Sequence, residues 1–363
     1  MGHTDLWHGE NSHSLSNVEG RDTLLPSVIE EPGDLAQVGD SLRREEANML
    51  FKQGIEAQQK GQFQKALHIL KQVQAIYWEL GELSGQEKTL GTLGLACYNL
   101  GDYHSAIDYC KRSLGMAQRT QNALNTVKLL GTLGNAYRHL ENHSKAVEYQ
   151  QHSLALAQDY GDRRSEMAAL NNLGLAYKAD GNYAQAIVYE EQALVIAREL
   201  RETAVEAQIL KNLGNAYYAL GNPDRAIACY EERLTLARKT DDQRLENQVL
   251  KNLGTACYSM GYHDKALIYN QQRLQLAQKV EDSRAEEQSL RSLAVFHEGV
   301  GHFTQALEYY EKRLMVVKRL ADPSLAVQAL DDLKRTCYNL GDFLKANQYE
   351  QSLAASLASH PSS

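Results

Sequence analysis

The chain repeats itself every forty residues, and this period constrains its fold more than any other feature. When the sequence is written in rows of forty, one column holds leucine in eight consecutive rows, from Leu50 to Leu330. Another column holds alanine in all eight rows, from Ala66 to Ala346. Identical residues at one exact spacing predict eight copies of a single structural unit, which buries its apolar face by stacking on its neighbours.

Each unit is predicted to be a helical hairpin. Within 170–177, apolar or small side chains recur at i, i+3, i+4 and i+7, a spacing that only a helix brings to one face. Gly181 predicts the end of this first helix, and Asn182 is a plausible N-cap of a second one. Gly174 and Ala186 are expected where the two helices cross closely. No strand signal remains, so the sequence predicts an all-α protein, an α-solenoid.

These spaced Leu-Gly, Tyr, Gly and Ala residues, as in KNLGNAYYALGNPDRAIACYEERL at 211–234, resemble the tetratricopeptide repeat. The resemblance covers roughly 46–357, and the period of 40 is similar to that of LGN and Pins-type scaffolds, rapsyn-like repeats and long-period bacterial arrays. It implies a right-handed superhelix of about eight hairpins whose first helices line a concave face, where the family usually binds a peptide. We expect an acidic, disordered tail at 1–40, the repeat array at 41–358 and a short tail at 359–363.

The charge distribution excludes some classes of partner. The net charge is −8, but residues 1–40 contain eight acids against one base, Arg21, so the remainder is close to neutral. A nucleic-acid-binding protein usually carries a net basic domain, so no nucleic-acid partner is expected. No stretch approaches the roughly 20 apolar residues of a membrane span. The N-terminus lacks the basic and apolar regions of a secretory signal, which predicts a cytoplasmic location.

Sequence patterns of known catalytic sites are missing. There is no G-x-x-x-x-G-K-[ST], no H-E-x-x-H, no G-x-S-x-G and no C-x-x-C pair, so neither enzymatic activity nor a metal or other cofactor is expected. Arg233, Arg273 and Arg313 recur at a spacing of forty in the second helix. We expect them to pair with neighbouring glutamates on the surface, or to form a second contact face.

Four columns of the first helix are predicted to share the concave face, namely those of Gln208, Lys211, Asn215 and Tyr218, because they lie at i, i+3, i+7 and i+10. Over seven repeats these columns contain eight basic residues and two acidic ones. The predicted peptide-binding residues are Lys128, Asn135, Arg138, Asn171, Lys178, Gln208, Lys211, Asn215, Tyr218, Gln248, Lys251, Tyr258, Gln288 and Arg291.

The sharpest cluster is Lys211 with Asn215, followed by Lys251 and Arg291 in the next two repeats. It partly resembles the Lys, Asn and Arg set by which some family members clamp a peptide carboxylate. Thr255 and Val295 depart from that pattern, because they stand where further polar clamp residues would be needed. A grip on an acidic or extended peptide fits better, because Asn both donates and accepts while Lys and Arg supply charge.

The sequence therefore predicts a scaffold or adaptor that binds a peptide segment of a partner protein. Two alternatives remain: a co-chaperone or assembly factor, and a regulator that changes pitch on binding a peptide or ligand and so inhibits a partner enzyme. A further hypothesis places the acidic tail in the groove, because the tail is negative and the groove is basic.

Overall fold

The computed structural model describes residues 32–120 and 122–359, and within these ranges it contains sixteen α-helices and no strand. The helices are α1 Pro32–Gln59, α2 Phe63–Glu79, α3 Leu83–Asn99, α4 Tyr103–Thr120, α5 Ala123–His139, α6 His143–Asp159, α7 Arg163–Ala179, α8 Tyr183–Glu199, α9 Thr203–Ala219, α10 Pro223–Lys239, α11 Gln243–Ser259, α12 His263–Lys279, α13 Ser283–Gly299, α14 Phe303–Leu320, α15 Pro323–Leu340 and α16 Phe343–Ser359. Each odd-numbered helix, called helix A, pairs with the next helix, called helix B.

The eight hairpins confirm the predicted all-α solenoid. Each helix packs against the next one along the chain, so every hairpin packs mainly against its two neighbours. The repeated leucine and alanine columns form the core: Leu173 and Ala186 are fully buried, as are most of their equivalents. Because an isolated hairpin exposes these side chains, stacking is what stabilises the array.

The predicted turn chemistry is present. Gly181 adopts a left-handed φ of 78°, and the Asn182 side chain accepts a hydrogen bond from the backbone N–H of Gln185, which confirms the predicted N-cap. Where the glycine column is broken, Glu141 still adopts a left-handed φ of 58°. The turn geometry therefore belongs to the repeat, and Glu141 takes it at an energetic cost that glycine avoids.

The glycine column lies where the two helices of a hairpin cross closely, as predicted, and the side chain that it meets there can now be named. A Cβ on Gly174 would lie 2.3 Å from Cγ of Glu190, and a Cβ on Gly214 would lie 2.4 Å from the ring of Tyr230. Glycine thus makes room for the residue sixteen positions later, rather than for the alanine of helix B. That later side chain varies from repeat to repeat and passes beneath helix A.

The segment boundaries differ from those expected. Helix α1 begins at Pro32, so regular structure starts before residue 41, and α16 includes Ser359. Residues 1–31 and 360–363 lie outside the described part of the chain, and the proposed disorder of the tail stays a prediction.

Candidate functional site

Helices A lie closer to one another than helices B do. Helix α1 approaches α3, and the same holds for α3 with α5, α5 with α7, α7 with α9 and α11 with α13, whereas no two B helices of the described chain pack as closely. A stack whose A helices approach more closely curves toward them. The A helices therefore line the inner side of the curve.

The residues predicted from the four columns all reach the surface of helix A. None of them is buried: Gln208, Tyr218, Lys251 and Arg291 are exposed, and Lys211 is half-buried. The other nine are distributed in the same way: Lys128, Gln248, Tyr258 and Gln288 are exposed, and Asn135, Arg138, Asn171, Lys178 and Asn215 are half-buried. We call this surface the groove face. Whether these residues bind a peptide stays a prediction.

Two asparagines of the groove face are held from below by helix B. The hydroxyl of Tyr230 donates to Oδ1 of Asn215 at 2.7 Å, and Nε2 of Gln150 is 3.4 Å from Oδ1 of Asn135. Because each asparagine oxygen accepts a hydrogen bond from helix B, its amide N–H groups are left to face the groove. These amides are the donors that an extended peptide backbone would need.

The lysines of the groove face have no acidic partner. Lys128, Lys178, Lys211 and Lys251 make no ion pair within the described residues, and Arg291 lies 4.0 Å from the nearest carboxylate oxygen, that of Asp332. Unpaired cations on one side of a curved surface raise the local positive potential and attract an anionic segment.

Aromatic side chains border the same surface. The Tyr218 hydroxyl lies 3.4 Å from Oγ of Ser259 in the next repeat, while the Tyr258 ring packs edge-on against Phe296. Nη2 of Arg138 lies 3.0 Å from Nε2 of His139. The two tyrosine contacts cross between neighbouring repeats and restrict the Tyr218 and Tyr258 side chains, so their rings would lose little side-chain entropy on binding.

The prediction for Arg233, Arg273 and Arg313 was wrong. They do not pair with glutamates on the surface: they are buried, with 4%, 3% and 0% exposure. We call these three residues the arginine ladder. Each reaches from helix B to the underside of a helix A, so the ladder forms part of the floor beneath the groove face.

The partners of the ladder differ from repeat to repeat. Arg313 donates to Glu287 at 2.6 Å and to Asp332 at 2.7 Å. Arg273 reaches only neutral oxygens, those of Asn247 at 2.9 Å and Gln288 at 2.8 Å.

Arg233 has the fewest hydrogen bonds of the three ladder arginines. Arg233 has one long contact, 3.5 Å to Gln248, and its Nε and Nη1 atoms are buried without a partner in the described chain. Burial lowers the pKa of both Arg233 and Arg273, because removing the cation from water disfavours the charged form.

Glu190 is a second buried group that the sequence did not reveal. It is fully buried beside Gly174, and neither carboxylate oxygen has a hydrogen-bond partner within the described residues. Burial raises the pKa of Glu190 to about 8, and the charge of Lys178 opposes this only in part. The side chain is therefore mostly protonated at neutral pH.

Two of the cavities on the groove face contain lysines of the predicted columns. One of about 320 Å³ lies between α1, α3 and α5 and includes Lys88 and Lys128. The other, of about 430 Å³, lies between α11, α13 and α15 and includes Lys251, Arg273 and Arg291. A larger cavity of about 660 Å³ is lined mainly by helices α12 and α14, away from these columns.

In the described ranges, no group of three or more His, Cys, Asp or Glu side chains is placed to hold a metal ion. None of the helices described is long and apolar enough to cross a membrane.

Comparison with known sequences identifies the repeat. The tetratricopeptide repeat profile matches residues 85–159, 126–199, 165–239 and 205–279, which together span more than half of the chain. The chain belongs to the tetratricopeptide repeat family. A comparison with curated proteins gave no match.

Solved structures of the same fold are distant in sequence. A signal-transduction ATPase with a tetratricopeptide repeat sensor, from Pyrococcus horikoshii, is 15% identical with a TM-score of 0.58 over 88% of this chain, which spans 53% of the length of that protein. Aspartyl phosphate phosphatase F from Bacillus subtilis is 15% identical with a TM-score of 0.55, and the match covers 79% of this chain and 73% of that protein. The quorum sensor NprR from B. thuringiensis is 15% identical with a TM-score of 0.52, and the match covers 90% of this chain and 94% of that protein. These likenesses show the fold.

Proposed function

We propose that the protein is a non-enzymatic adaptor that binds a peptide segment of another protein on the groove face. The observation that carries the proposal is the set of unpaired lysines beside asparagine amides on the inner side of the array. Carbonyl and carboxylate oxygens of an extended segment complement such donors. Membership of a repeat family built from stacked hairpins supports protein binding in general, because the stack offers a long continuous surface.

The proposal is tested with labelled fifteen-residue peptides of acidic, neutral and basic composition, whose binding is followed by fluorescence anisotropy. The groove variant is Lys211→Glu/Lys251→Glu/Arg291→Glu. Its matched control, Lys239→Glu/Lys279→Glu/Lys318→Glu, reverses three exposed charges near the ends of B helices.

We expect the groove variant to lose at least tenfold in affinity for the peptides that the wild type binds, and the control to keep it. Equal affinities of the two variants would overturn the groove assignment. A circular dichroism spectrum of each variant establishes that the helices are intact.

A second proposal is that peptide binding regulates a partner protein through a change of pitch. It is supported by two neighbours of the same fold, one a quorum sensor and one carrying a repeat sensor, and by the nearest-neighbour packing, in which small rotations add along the stack. Small-angle scattering with and without a bound peptide tests it. A radius of gyration that does not change on saturation argues for a static adaptor.

A further inference from the structure

The arginine ladder places three guanidinium groups at the same position of three successive repeats. Two carboxylates neutralise Arg313: Glu287 lies 26 positions before it in sequence and Asp332 lies 19 positions after it. A buried cation needs such partners, because the protein interior does not replace the water it has lost. The charge of Arg313 is therefore neutralised by the described chain, although its Nη2 atom has no hydrogen-bond partner there.

The other two lack the equivalent acids. For Arg273 the same two positions hold Asn247 and Ser292, and for Arg233 they hold Ala207 and Asn252. The described residues supply no carboxylate within ion-pair distance of either guanidinium. Arg233 and Arg273 are therefore buried arginines without a carboxylate counter-ion in the described chain.

The unneutralised arginines face the groove. Nη2 of Arg273 donates to Gln288 and Nη2 of Arg233 approaches Gln248, and both glutamines are exposed residues of the groove face. Each glutamine thus lies between a buried guanidinium and the solvent of the groove. Its neutral oxygen is a weaker acceptor than a carboxylate, so an incoming anion can replace it.

The cavity beside Arg273 has a matching charge. Lys251, Arg284 and Arg291 also line it, and its one acid, Glu287, already bonds Arg313. Arg284 bonds Asp322 at 3.1 Å, which leaves Lys251 and Arg273 without a carboxylate of the described residues within ion-pair distance. The cavity volume of about 430 Å³ is enough for a side-chain carboxylate and its neighbouring backbone.

We propose that Arg233 and Arg273 bind acidic side chains of a partner peptide, one carboxylate at each of two successive repeats, with Lys251 as the second cation at Arg273. This rests on the proposed peptide-binding function and assigns its ligand chemistry to helix B. The exposed glutamines Gln248 and Gln288 swing aside, and the carboxylate takes the place of their amide oxygens, giving each guanidinium the negative partner that Arg313 has in Glu287 and Asp332. No bond is made or broken.

The test uses a labelled twelve-residue peptide of alternating Glu and Ser, with alternating Gln and Ser as the neutral probe. In the variant Arg233→Ser/Arg273→Ser, serine is the residue that repeats two and three carry in this column, where Ser113 and Ser153 donate to backbone carbonyls. The array therefore accommodates it. The control Arg112→Ser removes an exposed arginine of α4.

We expect the ladder variant to lose at least tenfold in affinity for the Glu peptide, while binding of the Gln peptide and the Arg112→Ser control are unchanged. Asn247→Glu supplies Arg273 with the carboxylate that Glu287 gives to Arg313. It should weaken binding of the Glu peptide several-fold although it removes no arginine, and because the new acid would pair with the buried Arg273, its thermal transition should not fall.

The outcomes separate the two proposals. Binding that is lost in the groove variant Lys211→Glu/Lys251→Glu/Arg291→Glu but unchanged in both ladder variants overturns the ladder assignment and keeps the groove. A wild type that does not bind the Glu peptide also overturns the ladder assignment, whatever the neutral and basic peptides do. Tighter binding of a peptide with phosphoserine in place of Glu would overturn the assignment of a carboxylate as the ligand and would indicate a phosphate.

Discussion

Replacement of Glu190 by glutamine should stabilise the protein, and more strongly at high pH. The wild-type carboxyl group is fully buried without a hydrogen-bond partner in the described chain, and burial raises its pKa from 4.5 to about 8. Its folded-state pKa thus lies above its unfolded value, so the unfolded state loses the proton first as pH rises. Stability contributed by this group is greatest below pH ~4.5 and falls as the pH rises to about 8.

The size of the effect follows from the shift. One pKa unit corresponds to about 1.4 kcal/mol, so ionisation of the unfolded chain costs the fold on the order of 3 kcal/mol at neutral pH and about 5 kcal/mol above pH ~8. Glutamine has no proton to lose. It also fits, because Gln150 occupies the equivalent position one repeat earlier, where its Nε2 donates to the Gly131 carbonyl at 2.9 Å.

The assay is urea denaturation followed by circular dichroism at pH 5 and pH 8.5, with hydrogen exchange of α8 amides to locate the change within the array. The variant should differ little from wild type at pH 5 and unfold at clearly higher urea at pH 8.5. Glu148→Gln, at an exposed position of α6, is the control for a change of surface charge. A Glu190→Gln curve that follows wild type at both pH values would refute the argument from burial.

Three further perturbations test other parts of the structure. Arg313→Met leaves Glu287 buried without its partner and should destabilise the fold by about 3–5 kcal/mol in the same urea titration. Gly214→Ala places a Cβ 2.4 Å from the Tyr230 ring, which must shift as in the equivalent pair Ala294 and Tyr310, so it should cost about 1–3 kcal/mol, seen as a lower thermal midpoint. If the acidic tail occupies the groove, deleting residues 1–31, which spares α1, should tighten binding of the Glu peptide; unchanged affinity removes that hypothesis.

The sequence was sufficient for the features that repeat and insufficient for those that vary. Leucine, alanine and glycine columns predicted the hairpins and their order, because each such residue is determined by contacts inside one unit. The Asn182 cap was equally accessible, since it depends on a few neighbouring residues. The groove columns could be placed on one face of helix A from helical geometry alone.

The arginine ladder was misplaced because its environment depends on how one hairpin packs on the next. Charge spacing on a single helix suggested surface pairs, yet that column contains Val73, Ser113, Ser153 and Ala193 in the first four repeats. Small or apolar residues in a column indicate burial, and this signal was available. What the sequence could not supply was the partner of each arginine, since Glu287 and Asp332 come from different helices.

The position of the ladder explains how a nearly uniform array can be specific. Columns that build the hairpin vary little, but the ladder column accepts serine in α4 and arginine in α12, because both reach the residue 26 positions earlier on helix A. Substitution there changes the charge beneath the groove without moving a helix. In the first four repeats the ladder column holds only uncharged residues, whereas Arg233 and Arg273 place two buried arginines without a carboxylate partner beneath the later part of the groove face. Under the proposed binding mode, discrimination between peptides depends on where along the peptide the acidic residues fall, and reversing that order should reduce binding even though the composition is unchanged.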